Sequence, residues 1–251
     1  MSKWITDFPG VGWSRFRLFC LHSAGSSAGQ FRSWVAPAKP QIRITAVQLP
    51  GRESRFGETP VTDLRALIER LGPALRPHMD RPFALFGHSL GALVAFELVR
   101  WLREAKLALP LHLFVASRPA PQIVDNRPAL DLLPIPELLR ALEDYGGIDP
   151  RLLNEEDMGW FLPTIRADFR LNRTYRHEFQ AALPVAITAF YGCDDPFCSG
   201  PEMEAWSAQT SAQFSIHRMP GAHFFLRSQC ANIVAHVLET LTASSNELDA
   251  I

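Results

Sequence analysis

A chain of 251 residues with 47% hydrophobic content can bury one large core, which fits a single α/β domain carrying an insertion better than two independent domains. Its 25 basic and 26 acidic side chains nearly cancel, to a formal net charge of −1; nucleic acid and anionic membrane surfaces are therefore not expected partners. No stretch reaches the roughly 18 apolar residues of a membrane span. The N-terminal MSKWITDFPGVGW also lacks the apolar centre of a secretion signal, so a cytoplasmic location is expected.

The first strand-like run is Arg15 to His22 (RFRLFCLH), followed by the small residues Ser23 to Gly29. Ile42 to Leu49 (IRITAVQL) is a second, ending at the turn signal Pro50-Gly51. Thr62 is expected to cap an amphipathic helix bearing Leu64, Leu67, Ile68 and Leu71 at helical spacing. A short apolar strand, Pro82 to Phe86, runs into Gly87-His88-Ser89-Leu90-Gly91, and Ala92 to Glu104 reads as a helix. Leu109 to Ala116 is another buried strand. Late in the chain come a strand at Leu183 to Tyr191, a short helix at Pro201 to Gln209 and a strand at Phe214 to Met219. A closing helix over Gln229 to Leu241 follows, with the last eight residues expected to fray. Such alternation belongs to a mostly parallel sheet covered by helices on both faces.

Between Ser117 and Ala182 the rhythm changes: proline is dense and strand-like runs stop. Pro136 to Tyr145 and Met158 to Tyr175 read as helices with the stripes Leu138, Leu139, Leu142 and Phe161, Ile165, Phe169. The expected organisation is a core of residues 1–117 and 183–251 with a helical insertion at 118–182. An insertion at the C-terminal edge of a parallel sheet lies over the ligand site of such folds, so it reads as a lid; a helical subdomain that only packs is the alternative. The three-residue stripe of the second helix fits a tunnel wall and the insertion's own core equally well.

A G-x-S-x-G match gains its meaning from context. Here it sits between a short apolar strand and a helix, as in the nucleophile elbow of the α/β-hydrolase fold, with glycines where the sharp turn leaves no room for Cβ atoms. Ser89 is then the nucleophile, and the Leu90 N–H at the helix N-terminus is one oxyanion donor. That fold's chain order of serine, acid, histidine demotes His22, His78 and His88. His112 and His217 lie within strands, His177 in the insertion and His236 in the closing helix, all ordinary structural positions. His223 stands apart, in the loop Pro220-Gly221-Ala222-His223-Phe224-Phe225 after the last strand, and is the expected base. For the acid, Gly192-Cys193-Asp194-Asp195-Pro196 offers two neighbours; Asp195 is preferred and Asp194 stays open. The second oxyanion donor is expected from Ser23-Ala24-Gly25, with Ala24 favoured over a merely flexible loop. Cys20, Cys193, Cys198 and Cys230 lack metal-site spacing and read as free thiols, some buried; neither a metal nor a cofactor is expected.

Several blocks together resemble the type II thioesterases of polyketide and nonribosomal peptide assembly lines, over nearly the whole chain. They are LFCLHSAGSSAGQFRSW (18–34), QLPGRESR (48–55), FGHSLGALVAF (86–96), IRAD (165–168), AFYGCDDP (189–196) and GAHFFL (221–226). The resemblance places the triad on Ser89, Asp195 and His223. One departure is Ser23, which stands where the family's Pro-His-Ala-Gly-Gly carries its histidine; a backbone donor survives the change, whereas a side-chain role of that histidine does not carry over.

What the resemblance implies is hydrolysis of unproductive acyl groups from the phosphopantetheine arm of acyl or peptidyl carrier proteins. Because the hydrolase fold uses essentially all 251 residues, a stand-alone monomer acting on its carrier in trans is expected. Three rivals remain: a medium-chain fatty-acyl thioesterase, a general esterase, lipase or peptidase on the same fold, and a catalytically idle carrier-binding module.

Overall fold

The computed structural model describes residues 2–8, 13–124, 128–146 and 155–249, with backbone alone at 155–158 and 247–249. Its strands are β1 (Ile5–Asp7), β2 (Phe16–Leu21), β3 (Ile42–Val47), β4 (Phe83–His88), β5 (His112–Ala116), β6 (Ala186–Gly192) and β7 (Phe214–Met219). The helices are α1 (Val35–Ala38), α2 (Leu64–Leu75), α3 (Leu90–Glu104), α4 (Ile135–Asp144), α5 (Glu155–Thr174), α6 (Gly200–Glu204) and α7 (Cys230–Asp249). The strands form one sheet in the order β1-β3-β2-β4-β5-β6-β7. All neighbours are parallel except β1, which pairs antiparallel with β3.

Period-two side-chain alternation divides the central strands between two cores. Phe19 and Leu21 of β2 and Leu85 of β4 pack with α2 and α3, alongside Leu67, Leu71, Leu93 and Leu98. Leu18 and Cys20 of β2 and Phe86 of β4 face the other way, onto Phe31, Trp34 and α7 residues Ile233 and Val237. Every residue of β2 and β4 is buried, so these strands read as continuous apolar runs, as both-faces-covered parallel strands should. Among the described residues no helix is long and apolar enough to cross a membrane.

The expected elements occur with shifted ends. β5 starts at His112 rather than Leu109, because Pro110 has no N–H to give a ladder. Pro184 likewise delays β6, leaving Leu183 only a lone bridge to Thr210. Asp63, not Thr62, caps α2: its Oδ1 accepts the Ala66 N–H at 2.8 Å, the third amide of a helix that begins at Leu64. The expectation of a frayed end is also corrected, since α7 runs to Asp249. Leu241 is fully buried there, and the buried Ser245 takes a hydrogen bond from Arg15 at 2.9 Å. β1 escaped the sequence reading; three half-buried residues carry too little periodicity to announce a strand.

Between β5 and β6 the chain makes α4 and α5, whose Leu138, Leu142, Leu162 and Ile165 share a small core with Leu130. The region around Gly147 to Asn154, within the expected insertion, lies outside the described residues.

Candidate active site

β4 delivers Ser89 to the C-terminal edge of the sheet, and α3 starts at the next residue. Ser89 has φ 54° and ψ −113°, a left-handed-side conformation that costs a non-glycine residue on the order of 1–3 kcal/mol. Two bonds hold it: its N–H donates to Ala116 O at 2.8 Å, and its carbonyl accepts from Ala92 N–H at 3.0 Å. The flanking glycines are demanded by contact. A Cβ on Gly87 would strike the Gly91 carbonyl, and one on Gly91 would strike the Leu21 carbonyl on β2. With Leu90 the first residue of α3, its N–H belongs to the helix's unpaired first turn.

His223 and Asp195 come from the loops after β7 and β6, and His223 Nδ1 lies 2.9 Å from Asp195 Oδ2. Both side chains are almost wholly buried. Burial by itself would raise the Asp195 carboxyl; the hydrogen bond and charge of His223, with the Phe197 N–H at 2.9 Å, outweigh it and hold the group below the ordinary carboxylate range. Asp194, the open alternative, is exposed and touches the Cys193 thiol instead. Ser89 and His223 line one cavity of about 80 Å³ together with Ser23, Ala24 and Gly25. A second hollow of about 50 Å³ also opens on Ser89 and shares Tyr145 and Phe169 with the first. A far larger cavity, about 630 Å³ between α2, α3 and the chain after α5, contains none of the expected site residues. Size alone is therefore a poor guide here.

Of the stripe on α5, Ile165 and Phe169 line the Ser89 cavity, whereas Phe161 is 47% exposed and lies away from it. The Ser23–Ser26 loop has three of its four N–H groups engaged. Ser23 donates to Gln30 Oε1 at 3.2 Å, Gly25 to Asp168 Oδ2 at 2.8 Å and Ser26 to Ser23 O at 3.2 Å. The Ala24 N–H has no partner among the described residues, and Ala24 borders the cavity. Asp168 of α5 is in turn gripped by both terminal nitrogens of the buried Arg52, at 2.6 and 2.8 Å. Arg52 and Asp168 sit inside the blocks QLPGRESR and IRAD, but no local pattern told their partnership.

Two of the other histidines, His112 and His217, serve packing. His112 bonds Thr188 Oγ1 at 2.8 Å, and His217 stacks on Phe190 and meets the ring of His236 edge-on. Burial first, and neighbouring Arg52, push His22 down to about 4; burial, then His236, does the same to His112. Both folded values lie below the roughly 6.5 of an unfolded histidine. The unfolded chain thus takes up protons that the folded one refuses as pH falls from about 6.5 toward 4, and stability drops there by up to about 1.4 kcal/mol per pH unit for each. Urea midpoints should decline steadily from pH 7 to pH 5; a flat midpoint across that interval would contradict the buried neutral rings.

A serine raised on a strand-to-helix elbow over a doubly covered, mostly parallel sheet is how α/β-hydrolases present a nucleophile, and this chain has that fold. Residues 16–244 match the family described as thioesterase domain. The chain belongs to that family and is a thioester hydrolase of the serine hydrolase type. A protein of Brevibacillus parabrevis named linear gramicidin dehydrogenase LgrE is 40% identical over 244 residues, 96% of this chain and 93% of that one. The medium-chain S-acyl fatty acid synthase thioesterase of Rattus norvegicus is 32% identical, with 84% and 81% of the two chains covered. Among solved structures, BorB, described as the type II thioesterase from the borrelidin biosynthetic cluster, superposes with a TM-score of 0.87 at 36% identity, over 95% of this chain and 97% of that one.

Proposed function

We propose that the chain is a type II thioesterase that clears stalled or aberrant acyl groups from the phosphopantetheine arm of carrier proteins in polyketide or nonribosomal peptide assembly. It would act in trans, as a cytoplasmic monomer, with segment 118–182 as a lid over Ser89. The observation that carries the chemistry is the 2.9 Å contact between His223 Nδ1 and Asp195 Oδ2 beside the cavity shared by His223 and Ser89. Nδ1–H donates to the carboxylate, which leaves Nε2 to accept the Ser89 proton. Ser89 Oγ attacks the thioester carbonyl while the Ala24 and Leu90 N–H groups receive the oxyanion; its collapse expels the thiolate, which takes the proton from His223 and leaves the ring neutral again. A thiol of pKa about 8.5 leaves with little help. Water activated by His223 then hydrolyses the acyl-enzyme.

The Brevibacillus relative's name speaks of a dehydrogenase, yet the turn after β2 reads His22-Ser23-Ala24-Gly25-Ser26-Ser27-Ala28-Gly29, without the G-x-G-x-x-G of a dinucleotide site. The rat relative supports a second reading, release of medium-chain acyl groups. Parallel assays on acyl-carrier protein, acyl-CoA and a simple ester test both. The proposal expects the carrier-bound thioester to give the highest kcat/KM, and Ser89→Ala to abolish turnover by about 10⁵-fold or more. Preference for the simple ester would sink the thioesterase assignment of the substrate, and preference for medium-chain acyl-CoA would favour the second reading.

A further inference from the structure

Gln30 and His88 join the oxyanion loop to the base loop through a hydrogen-bonded relay whose direction is forced at both ends. Ser23 N–H and Oγ–H reach Gln30 Oε1 at 3.2 and 3.1 Å. Because a backbone N–H only donates, Gln30 must present its oxygen there and its Nε2–H₂ to His88 Nδ1, 3.0 Å away. That nitrogen must therefore be bare, which puts the His88 proton on Nε2, where the acceptor-only His223 carbonyl waits at 2.9 Å. Ser117 Oγ–H donates to the same carbonyl at 3.2 Å.

We propose that Gln30 and His88 are positioning residues, which fix the separation of the Ala24 oxyanion donor from the His223 base across the nucleophile's own strand. Gln30 ends on Ser23, the residue before Ala24; His88 precedes Ser89; and the relay terminates on the backbone of His223 itself. One chain of three bonds thus ties down neighbours of all three reacting groups. The ring of His88 is wholly buried, and its neutrality is a requirement of the relay, since a proton on Nδ1 would oppose the Gln30 amide hydrogens. Burial, then the charges of His223 and Arg227, against the opposing pull of Asp195, push it down to about 3, so the relay stays intact across the working range.

The inference rests on Ser89 and His223 forming the active site, and the test separates the two claims by using a small nitrophenyl ester that needs no carrier recognition. Gln30 is only half buried, so Gln30→Leu should fold, with a melting temperature close to that of the parent. A displacement near 1 Å at a reacting group costs about 10²-fold; we expect kcat to fall about 10- to 100-fold with KM within about twofold. His88→Phe should do the same, and the double variant should be no slower than either single one, because a relay cut once is already cut. His88→Gln, which can keep an N–H near the place of Nε2, should recover part of the loss. A Gln30→Leu enzyme with parental kcat, a loss confined to KM, or losses that multiply in the double variant would each overturn the relay. If instead Ser89→Ala keeps the parental ester rate, the site assignment itself fails.

Discussion

Exchanging Asp195 for Asn is expected to lower kcat for thioester hydrolysis by about 10⁴-fold, while Asp194→Asn stays within about twofold of the parent. The size follows from tautomer control: without the carboxylate, a triad histidine carries its proton on the wrong nitrogen. Here the outcome is decided by Phe197. Asp195 Oδ1 already accepts the Phe197 N–H at 2.9 Å, so an Asn would keep its oxygen on that amide and turn its NH₂ toward His223 Nδ1. Nδ1 would then become the acceptor, the proton would move to Nε2, and His223 could no longer take one from Ser89. The Asp194 side chain faces solvent, and among the described residues its carboxylate meets only the Cys193 thiol, so its charge is screened, while its backbone bond to Gly221 O survives the exchange. Single-turnover measurement of acyl-enzyme formation by both variants checks this; a dead Asp194→Asn beside an active Asp195→Asn would reverse the assignment of the acid.

That choice between neighbours shows what the sequence could and could not deliver. The elbow was legible because its constraints are local: a strand, a forbidden Cβ on each side of the serine, and a helix start, all within a few residues of Ser89. Chain order removed three histidines, the loop after the last strand favoured His223, and two adjacent carboxylates remained, with Asp195 preferred and Asp194 open; in the structure it is Asp195 that meets His223 Nδ1, where two separate loops approach. The α2 cap was misread by one residue because Thr62 and Asp63 both suit a cap, and the register of the helix decides between them. Phe161, Ile165 and Phe169 looked like one stripe. Yet each i to i+4 step rotates about 40° around a 3.6-residue helix, so over two steps Phe161 has turned out to solvent while Phe169 reaches the cavity. Hardest to read were polar partners remote in sequence: Gln30 with His88, 58 residues apart, and Arg52 with Asp168, 116 apart. Neither periodicity nor turn chemistry records such pairs, because each side chain answers to a backbone group elsewhere: Gln30 to Ser23 N–H and His88 to the His223 carbonyl, Asp168 to Gly25 N–H and Arg52 to the Ser26 carbonyl.

Truncating Asp168 to Ala should destabilise the fold by about 3–5 kcal/mol, the usual result of removing one partner from a buried ion pair. Asp168 is 1% exposed and Arg52 6%. The lost carboxylate would leave the Arg52 guanidinium with only carbonyl acceptors, Pro50 O at 3.3 Å and Ser26 O at 3.1 Å. It would also strip the Gly25 N–H of its partner. Replacing both members by apolar side chains of similar size, Arg52→Met with Asp168→Leu, removes the stranded charge as well, and should recover most of that stability. Activity should not recover with it. Gly25 sits at φ 69°, directly after Ala24, and its N–H is what α5 holds through Asp168; an apolar pair fills the space but releases the loop. Stability and turnover are therefore expected to separate in the double variant, with a urea midpoint near the parent and a kcat reduced by about 10²-fold, the typical cost of one oxyanion donor out of place. If the double variant regains both together, the pair serves only to join α5 to the core, and the oxyanion loop keeps its shape without it.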